Sequence, residues 1–240
     1  MKLYPNILSA VEKREKLLAV LMDPDKAKPE SLDGFMQKLN NSIATHIFVG
    51  GSTVEEFATE NLVIALKKHS NLPIVLFPGD ISQITNEANS ILYLSLLSGR
   101  NPEYLIGKHI ASVSKLRNTN LEVIPTGYLL IENGKETAVQ RVTQTAPMPI
   151  NNEQAIVDTA KAGELLGMRL IYLEAGSGAK KAIPSSIISA VKEELGIPII
   201  VGGGIRSKEQ LDAAYQAGAD LVVIGTAFEE DESFFNQLKK

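Results

Sequence analysis

Short apolar runs, rich in β-branched residues, recur along the chain, and most are followed by a turn and then by a stretch with helical spacing of its apolar positions. Continuous apolar runs of this length read as strands buried on both faces, and the periodic stretches read as the helices that cover them. The pattern predicts strands over 17–22, 46–49, 73–77, 91–97, 121–131, 170–174, 198–201 and 221–224. It predicts helices over 6–16, 32–40, 54–70, 102–116, 152–166, 185–195 and 208–217, and a short terminal one over 232–238. Eight strands with intervening helices define an α/β chain folded as a (β/α)8 TIM barrel. One crossover departs from the pattern. Only residues 79–90 join the third strand to the fourth, and 81–89 has little apolar periodicity. A full crossover needs at least ~10–12 residues including its helix. The third helix is therefore expected to be absent or irregular. The break reads either as a shortened corner or as a gap in the helical ring where a long apolar substrate lies.

Three of the strands end in glycine-bearing turns: Glu174-Ala175-Gly176-Ser177-Gly178, Gly202-Gly203-Gly204 and Gly225-Thr226. Any one of them alone reads as a tight turn. Turns of this kind after the last two strands of a barrel form a recurring phosphate site, because glycine lets backbone N–H groups approach an anion closely. The pair on consecutive βα units predicts a phosphate cradle at the C-terminal mouth.

Composition narrows the classes. A chain of 240 residues matches one barrel domain, 1–240, and can bury a core without staples. Net charge is −4 with no long basic run, which argues against a nucleic-acid surface. The absence of cysteine excludes disulfides, thiolate metal sites and cysteine nucleophiles. His46, His69 and His109 show no close metal-ligand spacing. No run reads as a signal peptide or a membrane span, so a cytoplasmic protein is expected, with room for a peripheral membrane contact.

Chemistry in such barrels sits at the C-terminal ends of the strands. Asp23 ends the first strand there, and Ser52 follows the second. A carboxylate with a nearby hydroxyl suits Mg²⁺, which keeps waters or phosphate oxygens as its other ligands. Asp25 reads as a helix cap, and Ser52 fits an N-cap for the helix at 54 as well as it fits a metal ligand. Glu174 lies between an apolar strand and the first glycine turn. A carboxylate beside a bound phosphate is repulsive unless it binds a hydroxyl or a proton, so Glu174 is a candidate general base. Tyr172 points to the same face two residues earlier, as a partner or as packing. Tyr128 is a further candidate from the fifth strand.

Five motifs in order resemble the geranylgeranylglyceryl phosphate synthase family, which includes the bacterial heptaprenylglyceryl phosphate synthases. They are Leu21-Met22-Asp23-Pro24-Asp25-Lys26, Phe48-Val49-Gly50-Gly51-Ser52-Thr53, Tyr172-Leu173-Glu174-Ala175-Gly176-Ser177-Gly178-Ala179, Val201-Gly202-Gly203-Gly204-Ile205-Arg206-Ser207 and Val223-Ile224-Gly225-Thr226-Ala227-Phe228-Glu229. The resemblance implies a prenyltransferase that joins a polyprenyl diphosphate to the C3 hydroxyl of sn-glycerol 1-phosphate with Mg²⁺. It implies metal ligation by Asp23 and Ser52, and catalytic roles for Glu174 and Tyr172. It implies a glycerol phosphate site lined by Tyr172, Leu173, Glu174, Ala175, Gly176, Ser177, Gly178, Gly203, Gly204, Gly225 and Thr226. The last turn is Gly-Thr rather than the Gly-Asn of many members. The expected donor is C20, with C35 as the alternative, and the expected assembly is a homo-oligomer, either dimer or hexamer. No tryptophan is present to serve as the subunit-contact device used in parts of the family. Another phosphosugar-binding barrel enzyme and a non-catalytic barrel are the competing readings.

Overall fold

The structure, a computed structural model, describes residues 3–240. Eight parallel strands close into a barrel in sequence order. They are β1 (Leu17–Met22), β2 (His46–Val49), β3 (Ile74–Leu76), β4 (Ser90–Leu96), β5 (Glu122–Leu130), β6 (Leu170–Glu174), β7 (Ile199–Gly202) and β8 (Leu221–Ile224). The helices around them are α2 (Pro29–Asn40), α3 (Ala58–Lys67), α4 (Lys108–Leu116), α6 (Glu153–Leu165), α7 (Ser185–Glu194) and α8 (Lys208–Gln216).

Strand alternation divides the apolar residues into two cores. Leu18, Val20, Ile47, Leu129, Ile171, Leu173 and Val222 face the helices. Ala19, Phe48, Val75, Leu92, Tyr128, Tyr172 and Ile200 fill the barrel interior. The opening helix α1 (Leu3–Glu12) closes the bottom of that interior with Leu3, Ile7 and Ala10. This is a stripe at i, i+4 and i+7, the spacing that puts apolar side chains on one helical face. The backbone N–H groups of Leu3 and Tyr4 both donate to the Glu122 carboxylate, which satisfies two donors at the start of the helix. Helix α1 ends earlier than the periodicity predicts because Arg14 adopts a left-handed φ of 58°.

The third crossover holds no α-helix. A single 3₁₀ turn, Ile81–Gln83, takes its place, started by the Asp80 carboxylate accepting from the Ser82 N–H at 3.2 Å. The buried Gln83 side chain donates to Gly51 O at 2.8 Å and accepts from the Gly79 N–H at 3.3 Å, so one amide ties the β2 and β3 loops together. Three further features differ from the pattern read along the chain. Helix α3 begins at Ala58, after Phe57 at φ 63°, so Ser52 lies in an open loop and caps nothing. A short helix, α5 (Ala138–Thr143), follows β5 behind a Thr137–Gln140 capping box. Another, α9 (Thr226–Glu230), follows β8 directly.

Candidate active site

The turns after β6, β7 and β8 meet at the C-terminal mouth. Gly203 and Gly204 have φ of 84° and 74°, a conformation that favours glycine. A Cβ on Gly203 would lie 2.5 Å from Glu174 Oε1 and 2.9 Å from the Gly176 nitrogen. The Gly178 N–H donates to Thr226 Oγ1 at 3.2 Å, which joins the first turn to α9. Among the described residues, the N–H groups of Ser177, Gly203 and Gly204 have no backbone acceptor. The N–H groups of Thr226 and Ala227, the first two of α9, have no backbone acceptor either, whereas that of Phe228 donates to Gly225 O at 2.9 Å. Donors unpaired by the protein and gathered at one place make an anion cradle.

Glu174 lies against this cradle at the end of β6 and is 5% exposed. Burial pushes its pKa up to about 7, against the opposing pull of the Gly176 N–H and the Tyr172 hydroxyl. The Gly176 N–H donates to Oε1 at 2.6 Å. The Tyr172 hydroxyl lies beside the carboxylate and helps hold the negative form, yet it makes no well-aligned hydrogen bond. Its pull on Glu174 is an effect of proximity rather than of an aligned hydrogen bond. Tyr172 stacks on Phe77 at 5.2 Å between ring centroids and meets Tyr128 edge-on at 5.4 Å. Burial raises both phenol pKa values well above 10, so both rings are neutral at pH 7. These rings floor a cavity of about 360 Å³.

Not every residue of the predicted stretch faces this cavity. Gly176, Ser177, Gly203, Gly204, Gly225 and Thr226 line it. Leu173 is fully buried in the core between strands and helices, and so is Ala175. Their side chains are turned away from the mouth by the strand alternation that turns Tyr172 and Glu174 towards it. Gly178 contributes through its bond to Thr226.

Asp23 and Ser52 also line the mouth, on the loops after β1 and β2, and β1 is paired with β8. Asp23 Oδ1 accepts from the Asp25 N–H at 3.1 Å, and a Cβ on Gly51 would lie 3.0 Å from the same oxygen. The carboxylate is thereby fixed next to the loop that carries Ser52. Asp25 caps no helix; its carboxylate accepts from the Glu55 N–H at 3.1 Å and braces one mouth loop against the next. The described residues contain no cluster of three or more His, Cys, Asp or Glu that could enclose a metal. One carboxylate with one hydroxyl suits a hard cation that takes its other ligands from substrate oxygens and water.

From the aromatic floor the cavity runs sideways, where the third helix is missing. Ile81 and Ile84 of the crossover, Tyr93 and Leu94 of β4, Tyr104 before α4 and Val142 of α5 line this apolar arm. Lys108 of α4 bonds to Asp80, and the Lys115 ammonium donates to Ile81 O at 3.1 Å, so α4 closes the outer wall. Tyr104, Lys108 and Val142 were not legible as site residues in the sequence. The spacing of Tyr104, Lys108 and Ser112 at i, i+4 and i+8 marks one helical face, and the Thr137–Gln140 box marks α5; neither signal says what the face touches.

Residues 10–240 match the PcrB family. The chain is 56% identical to the geranylgeranylglyceryl phosphate synthase of Flavobacterium johnsoniae, over 98% of this chain and 96% of that one. It is 54% identical to the synthase of Zunongwangia profunda, over 95% and 99%. A crystal structure of the Thermoplasma acidophilum synthase in complex with sn-glycerol-1-phosphate superposes with a TM-score of 0.92 at 31% identity, covering 99% of this chain and 95% of that one. The chain therefore belongs to the PcrB family, among relatives that are geranylgeranylglyceryl phosphate synthases.

Proposed function

We propose that the protein transfers a geranylgeranyl group from its diphosphate to the C3 hydroxyl of sn-glycerol 1-phosphate, releasing diphosphate. The observation that carries this reading is the position of Glu174. It lies between a cradle for one phosphate and an apolar arm suited to a prenyl chain. The glycine turns and α9 hold the glycerol phosphate, which fixes its C3 hydroxyl near the carboxylate and supplies proximity. The hydroxyl oxygen forms a bond to C1 of the prenyl group as the C1–diphosphate bond breaks, and the hydroxyl proton passes to Glu174. Charge develops on the allylic carbon in this step. The neutral faces of Phe77, Tyr128 and Tyr172 offer cation–π stabilisation in a site shielded from water. The prenyl tail is held along the arm by burial of its apolar surface.

Mg²⁺ belongs to the proposal. Asp23 and Ser52 would hold it, and when bound it would neutralise the leaving diphosphate. A cytoplasmic homo-oligomer, dimer or hexamer, also belongs to it. No described helix is long and apolar enough to cross a membrane. Leu165 and Leu166, 78% and 74% exposed, offer apolar surface for a subunit contact.

Incubating the purified protein with labelled sn-glycerol 1-phosphate and C15, C20 or C35 diphosphates tests the reading. The expected result is an organic-extractable phosphate ether formed fastest with C20. A faster reaction with C35 would replace the donor, and no ether with any donor would refute the reaction.

The phosphate cradle has its own test. A Cβ on Gly225 would meet its nearest neighbour, Leu21 O, at 3.2 Å, whereas one on Gly203 would collide with Glu174 itself. Gly225→Val is therefore the cleaner probe. It is expected to raise the KM for glycerol phosphate about 10-fold or more while changing that for the prenyl diphosphate little, since it removes close backbone approach to one anion only. Equal losses for the two substrates would move the phosphate elsewhere.

A further inference from the structure

Three lysine or arginine side chains line the mouth, and each is paired with a carboxylate. Lys108 bonds to Asp80 at the outer wall of the arm. Arg206 bonds to Glu230 at 3.1 Å and to Ala179 O at 3.0 Å, which fixes its guanidinium to the first glycine turn. Lys26 differs from both. Its ammonium lies 3.0 Å from Glu229 of α9 and 3.5 Å from Asp23. It thus sits between the anion cradle and the carboxylate proposed to bind Mg²⁺.

We propose that Lys26 receives the diphosphate of the prenyl donor, and that Glu229 holds it in place until the donor arrives. This rests on the functional reading above. Lys26 is about half exposed, and an ion pair so open to water contributes little to stability. The pair spans 203 residues of sequence and joins two solvent-accessible side chains. A divalent cation on Asp23 would repel the ammonium 3.5 Å away, so the two compete for one carboxylate. A diphosphate brought to that cation places several negative charges where Lys26 now meets one or two carboxylates. Lys26 then exchanges partners at little cost and gains a charge-assisted contact. Glu229 sets the threshold for the exchange, because the donor must displace it.

Three substitutions test this: Lys26→Met, Lys26→Arg and Glu229→Gln. Lys26→Met is expected to weaken binding of inorganic diphosphate in the presence of Mg²⁺, and to raise the KM for geranylgeranyl diphosphate, by about 10-fold, while the KM for glycerol phosphate stays within about threefold. Mn²⁺ binding to the substrate-free variant, followed by the free-ion resonance signal, is expected to tighten, because the competing ammonium is gone. Lys26→Arg should keep most of the donor affinity. Glu229→Gln should lower the KM for the donor. Unchanged diphosphate affinity in Lys26→Met, or weaker Mn²⁺ binding, would overturn the assignment. The diphosphate and Mn²⁺ titrations need no turnover, so they judge Lys26 even if the wild type fails to make the ether, which would refute the functional reading instead.

Discussion

Glu174→Gln is expected to lower the rate of prenyl transfer by about 10²–10⁴-fold, the usual range for losing a general base. Glutamine keeps the shape and can still hydrogen-bond a hydroxyl, but it cannot take the proton as a carboxylate does. A base with a pKa of about 7 is matched to neutral pH, and this one is raised by burial. The same shift makes a stability prediction of known sign. Below pH 4.5 the carboxyl is protonated in both the folded and the unfolded chain. Between about 4.5 and about 7 the folded chain keeps a proton that the unfolded chain has lost, so stability falls as pH rises. Above that window the fold carries a buried carboxylate, at a cost of up to about 3 kcal/mol. Glu174→Gln lacks this fall and should be the more stable protein at pH 8 in urea unfolding. A slower enzyme that is also more stable separates loss of chemistry from loss of fold. A rate within a fewfold of wild type would leave Glu174 as a passive hydroxyl ligand, with the departing diphosphate taking the proton.

Asp23→Asn is expected to reduce Mg²⁺-dependent turnover by about 10²–10³-fold, the scale for removing one preorganised electrostatic partner. The fold should survive. Asn can still accept the hydrogen bond that Asp23 takes from the Asp25 N–H, and the side chain is partly exposed rather than part of either core. The substitution also removes a partner of Lys26, so the residual activity should respond less steeply to Mg²⁺ concentration than that of wild type. Full activity with an unchanged Mg²⁺ response would remove the metal from Asp23.

The barrel was legible because its strands are buried on both faces, which writes them as continuous apolar runs. The short third crossover was legible because 79–90 is near the lower limit for a helical crossover and 81–89 lacks apolar periodicity. The mouth was legible where glycine is required, at Gly203 and Gly204, and where a charge ends an apolar strand, at Asp23 and Glu174. Helix boundaries were less so. Phe57 in a left-handed conformation delays α3, and nothing in a phenylalanine announces that. Residues 138–143 and 226–230 are too short for periodicity to register, although both line the site. Leu173 and Ala175 belong to the Tyr172–Gly178 motif, but the period of two turns their side chains away from the mouth. The role of Lys26 was not legible in its motif, because its partner Glu229 is 203 positions away and only the β1–β8 closure of the barrel brings the two together.

Single-turnover transfer from geranylgeranyl diphosphate to labelled sn-glycerol 1-phosphate, followed from pH 5.5 to 9, tests the account most directly. The wild-type rate should rise about tenfold per pH unit up to a pKa at or slightly above 7 and then level, while Glu174→Gln should give a low rate without that rise. A wild-type rate independent of pH across this range, or a variant that retains the same rise, would contradict a carboxylate at Glu174 accepting the proton of the attacking hydroxyl.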